Sequence, residues 1–169
     1  MQGGITDIDL AKEIFKVLTR YPLVAAMKVS TDFFIAGCRA GGASKESALA
    51  VLEQNLLHAI ETAKRDPAMQ ALGHRAFEEA WPFSGPRSDD DLRNIEHGIQ
   101  SILYKTLAPV GTTVDASVII LMRLIMYQGV QVSDILDYIA QEWDAVRPVT
   151  VRAKLFQTRK TKPTLNGFY

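Results

Sequence analysis

The sequence predicts an all-α domain followed by an extended basic arm, and three observations lead to this prediction. Apolar residues recur at helical spacing along most of residues 7–145. The apolar/polar alternation typical of strands is not found before residue 148. The composition is that of a globular protein, with 47% hydrophobic and 22% charged residues among 169. We therefore expect a bundle of about seven helices in residues 1–146 and a distinct arm in residues 147–169.

Two helices rich in apolar residues are predicted at the start of the chain. Their spacing places the first over 7–20 and the second over 23–39, with Tyr21-Pro22 between them. The second ends before Gly41-Gly42, because a glycine pair breaks a helix. Cys38 lies on this helix and is the single cysteine of the chain, so neither a disulfide framework nor a cysteine-rich zinc site is expected. A small buried thiol is the expected role.

Two more helices are predicted before a loop. Ser44 is a favourable N-cap for a helix over 44–64. Asp66-Pro67 begins another over 66–80, because aspartate caps helices and proline is favoured in their first turn. The glycine, proline and serine of SGPRSDDD, residues 84–91, then indicate a loop.

The helix after this loop begins with strong capping signals. Ser88 or Asp89 is expected to cap it, and Pro109-Val110-Gly111 is expected to end it. The three acids Asp89-Asp90-Asp91 resemble a cation site. Acids in the first turn of a helix are also stabilised by the positive end of its dipole, and this is the interpretation we prefer.

The last two predicted helices differ in character. One begins at Thr113 or Asp115 and continues to Tyr127. It is apolar on all sides, which is typical of a central buried helix. The other is expected to be capped by Ser133 and to end near Ala145.

The charge of the chain is divided unevenly. The whole chain has 19 basic and 19 acidic residues, but residues 147–169 hold six basic residues and no acid. This leaves thirteen basic against nineteen acidic residues in 1–146, a net charge of −6. The arm alternates apolar and polar residues from Val149 to Leu155, with Phe156 next, and 23 extended residues would reach about 75 Å.

An acidic body with a basic arm predicts that the arm docks on an acidic, grooved surface of a neighbouring subunit or partner. The alternatives are that it folds back on its own body or has no fixed structure. Basic residues interleaved with aromatic ones also suit single-stranded nucleic acid, although the acidic body opposes this role. The candidate partner-binding residues are Arg152, Lys154, Phe156, Arg159, Lys160, Lys162, Phe168 and Tyr169.

No enzymatic constellation is recognisable. The sequence contains no Glu-x-x-His pair, HExxH motif, P-loop, Gly-x-Gly-x-x-Gly or Gly-x-Ser-x-Gly. We therefore expect a non-catalytic protein without a metal site. No apolar run approaches the ~20 residues of a membrane span. The N-terminus lacks the basic and apolar segments of a secretory signal, so the cytoplasm is the expected compartment.

The segment DLRNIE at residues 91–96, followed by apolar residues at helical spacing and by Tyr104, resembles the bilin-attaching region of the phycobiliproteins. In that globin-related family the segment reads Cys-x-Arg-Asp, with apolar residues and a tyrosine after it. Arg93 and Tyr104 take the arginine and tyrosine positions without a gap. Upstream, RAFEEAWPF at residues 75–83 looks like the helix end before the chromophore loop. The similarity covers about residues 70–143.

The resemblance implies a globin-like bundle, yet two departures alter the expected chemistry. Asp91 stands where the family has its bilin-linking cysteine, so no thioether bond can form there. Asn94 replaces the aspartate that holds the pyrrole nitrogens. The implied protein is colourless, or binds a bilin or haem without a covalent bond. The candidate cofactor-binding residues are His58, Arg93, Asn94, His97 and Tyr104.

These observations predict a structural or assembly subunit of a homo- or hetero-oligomer. The resemblance places the helices at 7–20 and 23–39 at a subunit interface, and the arm adds contacts of opposite charge. The alternatives are a globin-like protein that binds a bilin or haem non-covalently, and a viral coat or secretion-system component whose terminal arms tie subunits together.

Overall fold

In the computed structural model, residues 4–65, 88–128 and 130–146 are described, and within these ranges the regular secondary structure is all α-helix. The helices are α1 (Asp7–Leu18), α2 (Leu23–Ala40), α3 (Lys45–Arg65), α4 (Asp89–Thr106), α5 (Val110–Gln128) and α6 (Val132–Glu142). The predicted all-α class is confirmed. The helix predicted over 66–80 and the arm at 147–169 lie outside the described residues.

Helix α5 is the centre of the bundle, as its almost wholly apolar sequence predicts. It packs against α1, α2 and α3, and its Ile120, Leu121 and Leu124 are completely buried. Helix α4 packs on α1 and α2, and α6 packs on α2 and α3. The core therefore lies along α5 and α2, with the other four helices around them. None of the described helices combines the length and apolarity needed to cross a bilayer.

The predicted N-caps at Ser44 and Ser88 are confirmed. The Ser88 hydroxyl accepts a hydrogen bond from the Asp91 amide at 3.1 Å, and the Asp91 carboxylate accepts one from the Ser88 amide at 3.2 Å. This reciprocal capping box satisfies two backbone donors at the start of α4. Ser44 accepts a hydrogen bond from the Ser47 amide at 3.2 Å. Asp91 is therefore engaged in capping α4.

Two predicted helix starts are wrong. Helix α5 begins at Val110, not at Thr113 or Asp115, because a proline just before a helix still provides its carbonyl to the first turn. The Pro109 carbonyl accepts from the Thr113 amide at 3.0 Å, so the chain is helical three residues earlier than predicted.

Helix α6 also begins before its predicted cap. Gln131 is the N-cap residue and makes no side-chain capping bond, so Ser133 lies inside the helix. The Gln131 carbonyl accepts from the Ile135 amide at 3.3 Å. The helix ends at Glu142, and the turn that follows extends to Ala145, the predicted end.

The corner between α4 and α5 depends on a left-handed residue. Leu107 has φ 52° and ψ 38°, a conformation that costs a side-chain-bearing residue about 1–2 kcal/mol. Its amide donates to the Leu103 carbonyl at 2.9 Å, which closes the last turn of α4. The chain then reverses through Ala108 and Pro109 and enters α5, and this reversal sets α4 beside α1 and α2.

The apolar side chains of α2 are used mainly within the chain's own core. Phe34 and Ile35 are buried, and Val24 is the one large apolar residue of α2 that is strongly exposed, at 49%. Gly37 lets α2 approach α5 closely, because a Cβ built there would lie 2.8 Å from a methyl group of Val114. Helix α2 thus has little apolar surface left for a partner.

Candidate functional site

Among the described residues, a cleft of about 300 Å³ lies between α2, α4 and α6. We call it the acidic cleft because three carboxylates and a single lysine line it. Its charged residues are Lys28, Asp32, Glu96 and Glu142. One wall is apolar and is formed by Val29, Phe33, Ala36, Ile99 and Leu103. The cleft therefore combines an apolar wall with an excess of negative charge.

A hydrogen-bonded cluster joins α2 to α6 at the edge of this cleft. The Lys28 ammonium donates to the Tyr138 hydroxyl at 2.6 Å and to the Asp32 carboxylate at 3.1 Å. The Tyr138 hydroxyl donates to the other Asp32 oxygen at 2.8 Å. Each of the three polar groups therefore bonds to the other two. Such a satisfied network fixes the relative position of two helices.

The cluster shifts the titration of its members. Burial raises the pKa of Tyr138 to about 12, and the nearby Asp32 carboxylate acts in the same direction against the Lys28 hydrogen bond. Burial lowers the pKa of Lys28, but its bond to Tyr138 and the charge of Asp32 outweigh burial, and the net shift is upward. The lysine is thus held charged and the tyrosine neutral at physiological pH.

Tyr138→Phe is expected to lower the free energy of unfolding at pH 7 by about 1 kcal/mol, because Asp32 loses a donor and Lys28 an acceptor. The pKa of Tyr138 is higher in the folded state than its ordinary value near 10, so its contribution is present below pH 10 and declines as pH rises through about 12. Urea unfolding of wild type and variant between pH 7 and 12 should show that the difference between their free energies of unfolding decreases as the pH rises. Tyr104→Phe, at an exposed site, is the control and should show no such convergence.

Glu96 supplies the cleft with a charge that is poorly compensated. Burial raises its pKa, and the Asp32 carboxylate raises it further, while Lys28 and His97 partly oppose this. Among the described residues, no ion pair involves Glu96 or Glu142. Because Lys28 already bonds to Asp32, the cleft as a whole favours a cationic group.

The rim of the cleft is held by an arginine of α2. Arg39 donates from one nitrogen to the carbonyl oxygens of Trp143 at 2.9 Å and Val146 at 2.6 Å. These bonds satisfy carbonyls beyond the end of α6, where no helical partner exists. Ala145 and Val146 line the cleft themselves. The last described residues of the chain therefore lie at the edge of the acidic cleft.

The residues predicted for cofactor binding lie elsewhere. His58 is exposed on α3, and Arg93, Asn94, His97 and Tyr104 are exposed on α4. None of the five lines the acidic cleft. The Arg93 guanidinium forms an ion pair with Asp90 in the first turn of α4. The structure thus groups four of the five on one helix and does not direct them into a described cavity.

The predicted partner-binding residues all belong to the arm and lie outside the described residues. They are Arg152, Lys154, Phe156, Arg159, Lys160, Lys162, Phe168 and Tyr169. Among the residues that the structure does describe, no group of three or more His, Cys, Asp or Glu side chains is placed to hold a metal ion.

A second concave surface lies on the other side of α2. It consists of a groove of about 370 Å³ between α2, α3 and α5 and a smaller hollow between α1 and α5. Ile119 lines both, so the two hollows adjoin at this residue, and we call them together the α1–α5 face. Ile8 in the hollow is 56% exposed and Val51 in the groove is 54% exposed.

The two ends of the α1–α5 face carry opposite charges. Asp7 and Asp115 line the groove, whereas Lys12 and Arg123 line the hollow. Burial raises the pKa of Asp115, and the neighbouring Asp7 raises it further. The Arg123 guanidinium lies over the ring of Phe15, 5.1 Å from its centroid. The face is therefore an apolar surface with an acidic end and a basic end.

Cys38 lies in the wall of this groove but is chemically quiet. It is 7% exposed, and burial followed by the charge of Asp115 raises its pKa to about 12. The thiolate is the reactive form of cysteine, so a thiol with this pKa is a poor nucleophile at neutral pH. The predicted small buried thiol is confirmed.

Comparison with known proteins adds no family to these observations. No protein-family model, curated protein or solved structure matches the chain. The features of the described residues that bear on function are therefore the acidic cleft and the α1–α5 face.

Sequence reasoning missed the residues that build the acidic cleft. Lys28 and Asp32 are the only ionised pair at i,i+4 spacing within an otherwise apolar stretch of α2, which was a usable signal. Tyr138 lies 106 residues from Asp32 in the chain, and Glu96 is one acid among several on α4. Nothing in their local sequence places them at the same cleft.

Proposed function

We propose that the protein is a non-catalytic assembly subunit that pairs with a second copy of itself through the α1–α5 face. The observation that carries this proposal is the charge arrangement of that face, acidic at Asp115 and basic at Arg123 with apolar Ile119 between them. A surface of this kind is complementary to itself when rotated by a half-turn. Two-fold pairs of identical subunits use the same patch on both copies.

The spacing along α5 fits such a rotation. Asp115, Ile119 and Arg123 follow one another at four-residue intervals, so they lie on one side of the helix. Eight residues of α-helix span about 12 Å, with Ile119 at the midpoint. A two-fold axis over Ile119 would therefore set Asp115 of each copy opposite Arg123 of the other.

Apolar contact and charge would have separate roles in this pair. Burial of exposed side chains such as Ile8 and Val51 removes apolar surface from water and supplies the attraction. The opposed charges favour the antiparallel arrangement of the two α5 helices over others. A cation near Asp115 would also relieve the repulsion from Asp7 that raises its pKa.

The proposal predicts a reciprocal charge-reversal result. Asp115→Arg and Arg123→Asp should each weaken self-association at least about tenfold, because each places like charges opposite one another. An equimolar mixture of the two variants should recover it, since every opposed pair is then of opposite sign. Sedimentation velocity over a concentration series measures both effects.

Apolar substitutions provide the matched control. Ile8→Asp on the face should reduce self-association, whereas Leu57→Asp, 49% exposed on α3 and outside both hollows, should not. A wild-type protein that stays monomeric throughout the series would reject the proposal. So would a mixture of the charge variants that associates no better than either alone.

The globin-like kinship and the non-covalent bilin or haem remain alternative proposals. The acidic cleft does not favour these pigments, because their propionates are anionic and would meet Asp32, Glu96 and Glu142. Arg93, the predicted propionate partner, is outside the cleft and paired with Asp90. Absorption titration with biliverdin and with haem tests this alternative. A saturable, shifted band at one ligand per chain would favour it.

A further inference from the structure

We infer that the acidic cleft between α2, α4 and α6 binds the first basic segment of the chain's own arm, residues 147–156. This inference is independent of pairing through the α1–α5 face. It replaces the neighbouring subunit, which the sequence favours as the acceptor of the arm, with the body of the same chain. Three features support it: the composition of the cleft, the pattern of the segment, and the point at which the chain leaves the body.

The negative charge of the cleft is not balanced by positively charged side chains of the described residues. Asp32 is satisfied by Lys28 and Tyr138, but Glu96 and Glu142 have no ion pair among the described residues. A partly buried carboxylate in this position is stabilised by an added cation. Arginine and lysine side chains are suitable because their apolar stems can also cover apolar surface.

The pattern of the segment matches the two-sided character of the cleft. Apolar residues at 149, 151, 153 and 155 alternate with positions that include Arg152 and Lys154. In an extended chain, alternate side chains point to opposite sides. One side can therefore lie against the apolar wall, where Phe33 is 6% and Ile99 3% exposed, while the other directs its charges to the carboxylates.

The path of the chain favours its own cleft over that of another copy. Arg39 donates to the Val146 carbonyl, and Val146, the last described residue before the segment, lines the cleft. A short connection gives a tethered segment an effective concentration in the millimolar range. A segment from a second copy at micromolar concentration competes poorly with it.

The test is limited trypsin digestion of the full chain, with cleavage after Arg152 and Lys154 followed by mass spectrometry. The variant Glu96→Gln/Glu142→Gln removes the two uncompensated charges while keeping the side-chain shapes. We expect about tenfold faster cleavage after Arg152 and Lys154, because proteolysis follows the population of the undocked segment. Cleavage after Lys160, later in the same arm, is the internal reference and should not change.

The matched control is Glu53→Gln/Glu61→Gln, which makes the same change in net charge on the exposed surface of α3. Its cleavage rates should equal those of wild type. Raising the salt concentration should accelerate cleavage of wild type and not of the cleft variant, since the contacts are ionic. Protection should be independent of protein concentration and should persist in Ile8→Asp, which separates this result from the outcome for self-association.

Three results would overturn the inference. The first is equal cleavage in the cleft and control variants. The second is an acceleration that also extends to the bond after Lys160, which would indicate general loosening of the arm or body. The third is protection that disappears on dilution, because the occupant would then be the arm of another copy.

Discussion

Leu121→Ala is expected to lower the free energy of unfolding by about 3 kcal/mol, one of the two largest effects we predict. Leu121 is 0% exposed on α5, the helix that contacts α1, α2 and α3. Truncation there loses the transfer free energy of the removed methyl groups and leaves a cavity among several helices that cannot all move inward. Urea unfolding followed by circular dichroism measures the change.

Leu57→Ala is the control for this prediction. The same atoms are removed from a leucine that is 49% exposed on α3, so neither a cavity nor a large loss of buried area results. Its effect should stay within about 0.5 kcal/mol. Comparable losses in the two variants would mean that α5 is not the centre of the core.

Gly37→Ala is expected to destabilise the protein by about 2 kcal/mol even though alanine is the better helix former. The added methyl group would lie 2.8 Å from a methyl of Val114, where α2 crosses α5. Valine is stiff at its first torsion, so the helices must separate to make room. Thermal unfolding should show a lower midpoint for the variant, and Gly37→Ala/Val114→Ala should recover part of the loss.

Gly111→Ala is the same chemical change in a different setting. No atom lies within 4 Å of a Cβ placed at Gly111, in the first turn of α5. Alanine there should stabilise the protein by a few tenths of a kcal/mol to about 1 kcal/mol through helix propensity. If Gly37→Ala lowers the free energy of unfolding and Gly111→Ala raises it, close packing, and not helix propensity, decides the effect at Gly37. A neutral or stabilising Gly37→Ala would contradict the close crossing.

The helical class and several helix ends could be predicted because their causes are local. Ser88 with Asp91 forms a capping box within four residues, and between Ala116 and Met126 only Ser117 and Arg123 of α5 are polar. The sequence predicts Pro109-Val110-Gly111 as a break between two helices. The break is shorter, because Pro109 directly precedes a helix that begins at Val110. The choice between these roles depends on the turn at Leu107. Leucine rarely adopts a left-handed φ, so the sequence does not predict this conformation.

The two surfaces could not be predicted to the same extent, because each depends on residues that meet only in three dimensions. The acidic cleft joins Asp32 on α2 with Glu96 on α4, and the α1–α5 face joins Asp7 with Asp115. The uneven charge did predict an acidic body, although the sequence favours a neighbouring subunit or partner as the bearer of the acidic groove. Which of the body's acids line the acidic cleft required the packing of α2 against α4 and α6.

Helix α2 forms a wall of both surfaces: Asp32 and Phe33 line the acidic cleft, and Phe34 and Cys38 line the groove on the opposite side. One helix therefore lines both of the surfaces that we propose to bind. Thermodynamic linkage makes any coupling between the two surfaces reciprocal. If occupation of the cleft changes the pairing constant at the groove by some factor, pairing must change the binding constant at the cleft by the same factor.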